Sequence, residues 1–278
     1  MDALHAFLIA VIQGATELFP ISSLGHAVVV PALFGWNLDQ RSESFLPFLV
    51  LLHTGTALAL LIYFWRDWLA IGTGVVGLAP PHEVREARRV FVLVVVATVP
   101  AVVLGFVFNH FFKSLFSTPL IAAGFLVVNG FMLLVGEGLR GRGERPLSDL
   151  KVVDALVIGC WQCGALLPGI SRSGATIVGG LLRGIDHASA AHFSFLIALP
   201  IIVGATVLEV PHLLRADLAP GVLGLAFGAA AVAGVVAYLS TWFLMRYFRD
   251  NERWALNPFA YYCVALGLVT ILYLVVIA

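Results

Sequence analysis

Charged residues are scarce in this chain. Lys, Arg, Asp and Glu make up 12% of the 278 residues, and the formal net charge is zero. Soluble domains carry about 25% charged residues, roughly twice this share. Hydrophobic residues make up 60% of the chain, and the mean hydropathy is +0.99. A water-soluble fold cannot bury so much apolar surface, so the composition indicates an integral membrane protein.

Basic clusters and cysteines are equally sparse. No stretch combines basic and aromatic residues as a nucleic-acid-binding surface does, so we expect no nucleic acid partner. The three cysteines, Cys160, Cys163 and Cys263, all lie in apolar runs. No second cysteine pair and no nearby histidine accompanies Cys160 and Cys163, so we expect small buried packing thiols rather than a redox or metal site.

Apolar runs of about 20 residues, long enough to cross a bilayer, define the organisation. Six of them are found, near 46–64, 90–110, 118–136, 189–208, 221–245 and 257–277. Two other regions, 1–35 and 151–183, each consist of two short apolar pieces separated by Pro, Gly and Ser. Neither piece is long enough to cross, so each region is predicted to form a re-entrant helix-turn-helix whose turn lies inside the membrane.

The distribution of basic residues predicts the orientation. The cytoplasmic side carries twelve Lys and Arg residues, against three on the other side, if the cytoplasmic connections are 65–90, 137–151, 183–188 and 246–256. Cytoplasmic loops normally carry such an excess. Both termini are then expected outside the cytoplasm.

An inverted repeat follows from this topology. Each half holds one re-entrant hairpin and three spans, an odd number of crossings, so the second half is predicted to be inverted. The predicted parts are a first repeat, a cytoplasmic linker and a second repeat, at 1–138, 139–150 and 151–278. The fold class is therefore an all-α integral membrane protein with an inverted repeat.

Two short segments of the chain are similar to each other. Gln13–His26 and Gln162–Thr176 each contain Gln in an apolar run, then Pro, a Ser-rich turn and Gly. Pro47–Leu52 and Ser194–Leu199 extend the similarity after each motif. In an inverted repeat these two turns meet near the midplane, where transporters of this architecture have their binding site.

The residues at the two turns favour an anion. Helix N-termini begin at Ser22–Ser23 and at Ser171–Ser173, and such ends present unpaired N–H groups and partial positive charge. Arg172 adds a guanidinium group that matches phosphate oxygens. The structural alternative is that the serines permit tight helix packing and that Arg172 pairs with Glu17.

Further polar residues could carry out phosphoryl transfer. Gln13 and Glu17 are four residues apart and share a helix face. Ser23 and His26 are three apart and are predicted to meet on the next half-helix. A carboxylate, a hydroxyl, an imidazole and an arginine around one anion are the groups that this chemistry uses. His53 interrupts an apolar span, and we interpret it as cavity lining or interhelical hydrogen bonding rather than catalysis.

The paired motifs resemble those of a known family. Gln13–Glu17, Pro20–His26 and Pro168–Thr176 are similar to the motifs of the bacitracin-resistance undecaprenyl-diphosphate phosphatases, and the resemblance covers essentially the whole chain. It implies a bacterial inner-membrane enzyme that hydrolyses undecaprenyl diphosphate to undecaprenyl phosphate and phosphate. That reaction recycles the lipid carrier for peptidoglycan synthesis and confers bacitracin resistance. The resemblance also implies an active site open to the periplasm and stimulation by Mg²⁺ or Ca²⁺.

Site residues follow from the same resemblance, position by position. The catalytic residues expected are Glu17, Ser23, His26 and Arg172, with Glu17 also a candidate metal ligand. The phosphate-binding residues expected are Gln13, Ser22, Ser171, Ser173 and Thr176. Two positions depart from the family pattern: Gln13 stands where Glu is frequent, and Leu24 stands where Thr is frequent. Glu17 is therefore left as the one carboxylate of its motif.

Three mechanisms remain open from sequence. Ser23 attacks with Glu17 or His26 as base, His26 attacks directly, or Glu17 or a metal activates water. Ser23 is favoured because a half-helix N-terminus can hold a nucleophile against a phosphate. The alternative function is a lipid-phosphate flippase or anion transporter that uses the same midplane site. A non-catalytic membrane scaffold leaves an intramembrane Arg and Glu unexplained. A homodimer is one expected assembly.

Overall fold

The computed structural model describes residues 3–36, 45–108, 111, 115, 118–140, 145–215 and 221–276. Within these ranges the protein is all-α and has no β-strand. The α-helices are α1 (Ala3–Thr16), α2 (Ser23–Leu33), α3 (Phe45–Tyr63), α4 (Trp65–Val75), α5 (Pro81–Val107), α6 (Pro119–Leu139), α7 (Val152–Gln162), α8 (Arg172–Leu182), α9 (His187–Arg215), α10 (Val222–Asp250) and α11 (Asn257–Val276). Two short 3₁₀-helices occupy Leu147–Asp149 and Cys163–Leu166.

Six of these helices are long and apolar enough to cross a membrane: α3, α5, α6, α9, α10 and α11. This confirms the predicted all-α membrane fold and the number of spans. Three helices extend well beyond the apolar runs predicted for them. Helix α5 begins at Pro81, α9 continues to Arg215 and α10 continues to Asp250. Large apolar side chains cover their outer faces; Phe106 is 79% exposed. In a membrane such a surface contacts lipid.

Four shorter helices build two hairpins. We name α1 with α2 the first hairpin, and α7 with α8 the second hairpin. Helix α1 has 14 residues and the other three have 11 each. At 1.5 Å per residue they reach about 16–21 Å, less than the roughly 30 Å hydrocarbon core. Each pair is the helix-turn-helix predicted for its region, while its depth in a bilayer stays a prediction.

The two hairpins begin their second helices in the same way. Ser22 Oγ accepts a hydrogen bond from the Gly25 N–H at 3.2 Å, and Ser171 Oγ accepts one from the Gly174 N–H at 3.1 Å. Both are N-caps, which satisfy backbone donors that a helix leaves unpaired. The backbones differ, because Ser22 has a φ of 69° and Ser171 a φ of −78°.

Packing between the halves follows a paired pattern. Helix α3 packs on α9, and α6 packs on α11. The first helix of each hairpin packs on a span of the other half, since α1 contacts α10 and α7 contacts α5. A two-fold relation between the two halves produces this reciprocal packing, in which the hairpin of each half contacts a span of the other. The inverted orientation, the repeat boundaries and the position of the linker remain predictions, and residues 141–144 of that linker lie outside the described residues.

An ion-pair cluster anchors the second hairpin at its start. Asp154 in the first turn of α7 is buried, and its carboxylate accepts hydrogen bonds from Arg145 and Arg183, each at 2.7 Å. Burial alone would raise the pKa of Asp154, but these bonds and the Lys151 N–H outweigh it and hold the pKa at about 2. The base of α7 is thereby fixed to the segment before it.

Two details differ from the sequence predictions. Helix α4 lies in the predicted cytoplasmic connection and was not expected; it carries exposed Trp65 and Leu69, which suit a membrane interface. Cys263 is buried as expected, but Cys160 is exposed, because its face of α7 points away from the protein. The prediction of a buried thiol is wrong for Cys160.

Candidate active site

One buried side chain connects the turns of both hairpins. Asn129 of α6 is fully buried and donates from Nδ2 to the Pro20 carbonyl at 2.9 Å. Its Oδ1 accepts a hydrogen bond from the Ser171 N–H, also at 2.9 Å. A single amide therefore holds the first turn and the second turn at a fixed separation.

The turns also contact each other directly. Ser173 Oγ donates to the Phe19 carbonyl at 3.0 Å, and Ser171 Oγ donates to the same oxygen at 3.4 Å. A Cβ added to Gly25 would lie 3.1 Å from the Gly169 Cα, so the two glycines let the turns approach closely. The two motifs found in the sequence therefore come together in space.

Glu17 lies at the centre of the polar cluster between the turns. Its Oε2 accepts a hydrogen bond from Ser23 Oγ at 2.5 Å and another from Gln13 Nε2 at 3.0 Å. His53 Nε2 lies 3.1 Å from the same oxygen, and an Arg172 terminal nitrogen lies 3.3 Å from Oε1. The carboxylate is buried and needs such partners, because an unpaired charge in an apolar environment costs several kcal/mol.

The two basic partners of Glu17 are themselves anchored. Arg172 donates through its other terminal nitrogen to the Ser194 carbonyl at 3.1 Å. His53 Nδ1 lies 2.7 Å from the Leu49 carbonyl, which can only accept, so this nitrogen donates. Both ring nitrogens thus face oxygen acceptors, which a protonated imidazole satisfies. The cluster thus holds two basic groups beside Glu17, with Glu209 elsewhere on the same cavity wall, and Arg172 is the permanent cation that suits an anionic ligand.

A cavity of about 270 Å³ adjoins this cluster. Its polar lining comprises Glu17, Ser22, Ser23, His53, Gln162, Ser171, Arg172 and Glu209. The other walls are apolar and come from α3, α5, α9 and the 163–170 segment. A site with polar groups beside apolar walls fits an amphipathic ligand with an anionic group.

Five of the predicted site residues line this cavity: Glu17, Ser22, Ser23, Ser171 and Arg172. Three predicted phosphate-binding residues, Gln13, Ser173 and Thr176, do not. Gln13 donates to Glu17, Ser173 donates to the first turn, and Thr176 Oγ1 bonds the Ser194 hydroxyl at 2.6 Å. Their side chains hold the polar cluster in place, so direct phosphate contact has no support from their positions.

His26 is directed away from the cavity. Its Nδ1 lies 2.7 Å from the Ser22 carbonyl, and its Nε2 lies 2.8 Å from the Tyr262 hydroxyl of α11. The ring also stacks on Tyr262 with centroids 5.6 Å apart. Ser23 donates to Glu17 instead, so the predicted Ser23–His26 pair does not form. Although residues three apart lie on neighbouring parts of a helix face, His26 bonds to Tyr262 of α11 while Ser23 bonds to Glu17 just after α1.

His53 is the histidine that the structure places at the cluster. Sequence reasoning expected cavity lining or interhelical hydrogen bonding, and His53 does both. Its direct contact with Glu17 was missed, because α3 is distant in sequence from both motifs. The signal available was a histidine inside an otherwise apolar span, where ionisable groups are expensive.

The donor set does not fit a divalent cation held by the protein alone. No three His, Cys, Asp or Glu side chains in the described ranges form a metal-binding group. Ca²⁺ and Mg²⁺ take about six or more oxygen ligands, usually with carboxylates among them. Glu17 is surrounded by Arg172, His53, Ser23 and Gln13, which occupy its oxygens as donors. The Mg²⁺ or Ca²⁺ that the resemblance implies therefore finds no protein cage here.

Comparison with known proteins gives a consistent result. Residues 6–269 match the family described as bacitracin resistance protein BacA. An undecaprenyl-diphosphatase of Granulibacter bethesdensis is 64% identical, over 96% of this chain and 95% of the relative. An undecaprenyl-diphosphatase of Acidiphilium cryptum is 56% identical over 98% of both chains. Undecaprenyl-diphosphatase 2 of Chromobacterium violaceum is 45% identical over 98% of this chain and 99% of the relative.

Proposed function

Since the chain belongs to the bacitracin resistance protein BacA family, we propose that it hydrolyses undecaprenyl diphosphate to undecaprenyl phosphate and phosphate. The reaction returns the lipid carrier to peptidoglycan synthesis, and an excess of enzyme confers bacitracin resistance. The observation that carries the proposal is the contact of Ser23, Glu17 and Arg172 beside a cavity with apolar walls. These are a nucleophile, a base and a cation at one point.

The diphosphate binds at the polar side of the cavity. Arg172 uses two of its five N–H groups on Glu17 and Ser194, and those remaining are available to phosphoryl oxygens. The N-termini of α2 and α8, capped by Ser22 and Ser171, add partial positive charge. The apolar walls then receive the first part of the prenyl chain.

Ser23 attacks the terminal phosphorus. As the bond from Ser23 Oγ to phosphorus forms, the hydroxyl proton passes to Glu17 across the 2.5 Å hydrogen bond. The bond from phosphorus to the bridging oxygen breaks, and undecaprenyl phosphate leaves with the electron pair and the proton from Glu17. Arg172 stabilises the charge that spreads over the phosphoryl oxygens.

Water completes the reaction. Its oxygen bonds to phosphorus while the bond to Ser23 Oγ breaks, and Glu17 takes the proton from water and returns it to Ser23. Phosphate is released and both residues regain their starting state. This route is supported over attack by His26, because both nitrogens of that ring are engaged away from the cavity.

We place the enzyme in the bacterial inner membrane, with both termini and the cavity opening on the periplasmic side. The support for the position of the termini is the excess of twelve basic residues over three on the predicted cytoplasmic side. The homodimer and the divalent cation stay predictions. Neither the attack by Ser23 nor the hydrolysis by water uses them.

Phosphate release from undecaprenyl diphosphate by purified protein in detergent tests the proposal. A detergent micelle has no second compartment, so a flippase or anion transporter releases no phosphate. We expect release by the wild type and a loss of about 10³-fold or more in Glu17→Gln, which removes the base. Absence of release by the wild type, with or without Mg²⁺, would contradict the proposal and favour transport.

Glu137→Gln is the matched control. Glu137 is also a buried glutamate with several donors, but they come from His187, Arg140 and the 254–256 backbone, away from the cavity. The control should lose thermal stability and keep its turnover per folded molecule. Equal losses of turnover in both variants would show that Glu17 acts through folding alone.

A further inference from the structure

Gln162 presents a buried acceptor with no protein partner. Its residue is only 2% exposed, and its Nε2 donates to the Ala97 carbonyl of α5 at 3.1 Å. Within the described ranges its Oε1 has no hydrogen-bond partner. The orientation of the amide follows from this bond, since the reverse orientation would set two acceptors, Oε1 and the Ala97 carbonyl, against each other.

The position of Gln162 on the cavity wall gives this acceptor a use. Gln13, at the equivalent position of the first hairpin, also has an Oε1 without a partner among the described residues, but Gln13 does not line the cavity. Gln162 does, beside Ala101, Gly105 and Leu166. An unsatisfied buried acceptor is unfavourable, so one on a residue that lines a cavity indicates a ligand that donates a hydrogen bond.

The proposed reaction supplies one such donor. The diphosphate of a fully ionised substrate offers acceptors only, and a prenyl chain offers neither donors nor acceptors. Water is the reactant that carries O–H groups, and it must be held in an otherwise apolar part of the cavity. A glutamine side chain can orient an attacking water through its carbonyl oxygen.

We propose that Gln162 is a further catalytic residue, whose Oε1 holds the water that hydrolyses the phosphorylated Ser23. The inference rests on the proposed function. One O–H of the water is donated to Gln162 Oε1, and the other proton passes to Glu17. The water oxygen bonds to phosphorus, the bond from phosphorus to Ser23 Oγ breaks, and Ser23 receives the proton from Glu17. The first step, transfer of the phosphoryl group to Ser23, needs no water and hence no Gln162.

This difference between the steps defines the experiment. Purified Gln162→Leu is mixed with undecaprenyl diphosphate labelled with ³²P in the terminal phosphate and quenched with acid. We expect one equivalent of undecaprenyl phosphate to form rapidly and the label to remain on the protein. Phosphate release should fall by about 10²-fold, the loss expected when a reactant is no longer held in position. The Ser23→Ala/Gln162→Leu double variant should carry no label.

Two outcomes would overturn the inference. One is phosphate release at the wild-type rate in Gln162→Leu; the other is an equal slowing of both products without labelled protein. Gln162→Met, with an unbranched side chain of similar length, repeats the test if the leucine variant does not fold. Gln162→Glu keeps an acceptor oxygen and should recover most of the release. Wild type that releases no phosphate would instead contradict the proposed function.

Cys160→Ser is the matched control for this test. Cys160 lies on the same helix as Gln162 but on its exposed face. Its variant should release phosphate as the wild type does and retain no label. Labelled protein in that control would mean that any change in α7 slows hydrolysis, which would also overturn the assignment to Gln162.

Discussion

The two hairpins share a construction and differ in what they carry. Each has a glutamine in its first helix, a turn, and a serine N-cap before its second helix. At equivalent positions, however, the first hairpin carries Glu17 and Ser23 where the second carries Leu166 and Arg172. In the proposed mechanism, the first hairpin supplies a base and a nucleophile, and the second supplies a cation. A repeated frame can therefore bring different chemical groups to one point.

The hydrogen bonds of the two turns differ in direction as well. Hydroxyls of the second hairpin, on Ser171 and Ser173, donate to a carbonyl of the first. Among the described residues, the hydroxyls of the first turn, on Ser22 and Ser23, bond within their own hairpin. The second hairpin thus orients the first, in addition to providing Arg172. Three predictions test this division.

Arg172→Lys should give the largest effect. A guanidinium group reaches Glu17 and the Ser194 carbonyl at once, and a single ammonium nitrogen cannot reproduce both bonds. We expect kcat/KM for phosphate release to fall by about 10²-fold, which corresponds to about 2.7 kcal/mol of transition-state stabilisation. Arg183→Lys, on a partly exposed ion pair with Asp154, is the control and should change kcat/KM less than twofold. A similar loss in both variants would show that Arg172 has no special role.

Asn129→Leu should give an intermediate effect. The leucine side chain has the same branching but is larger and cannot bond to Pro20 or to Ser171, so the turns lose their fixed separation. We expect kcat to fall by about tenfold with little change in KM, because the groups remain but are less well placed. Asn129→Asp keeps an acceptor for the Ser171 N–H and should fall between leucine and wild type.

Thr270→Val is the control for Asn129. Thr270 is also fully buried, but within the described part of the chain its hydroxyl bonds only to the Leu266 carbonyl of its own helix. Its variant should keep the wild-type kcat. If Asn129→Leu loses thermal stability while its kcat is unchanged, the amide supports the fold without positioning the site.

Substitution of the two capping serines should give the smallest effect. Loss of an N-cap costs about 1 kcal/mol, which lowers Tm by about 2–4 °C in a protein somewhat smaller than this one. Ser22→Ala and Ser171→Ala should cost about the same, because serine and alanine both carry a Cβ and meet the same strain at the φ of 69° of residue 22. Ser22→Gly relieves that strain and should lie close to wild type, while Ser171→Gly gains nothing in this way. Thermal unfolding of the four variants in detergent measures these differences, and equal losses in Ser22→Gly and Ser171→Gly would contradict the prediction.

The membrane fold could be predicted because its signal is local. Apolar runs mark the spans, and Pro and Ser breaks mark both hairpins. The motifs also predicted that Glu17 and Arg172 would meet. They did not show the rotation of His26 toward Tyr262, since that depends on how α2 packs against α11. The role of Asn129 and the contact of His53 with Glu17 were beyond sequence reasoning for the same reason: the partners lie in segments distant along the chain.

The bond between Glu17 and Arg172 has a consequence for selectivity. Arg172 already pairs with an anion that belongs to the protein, so its charge is partly neutralised before a phosphoryl oxygen reaches its remaining N–H groups. A lipid headgroup therefore gains less than the full strength of one ion pair. Headgroups of low charge gain little from such a shared cation, and a diphosphate gains the most. Because Glu17 competes for the same guanidinium group, it also helps the product phosphate to leave Arg172.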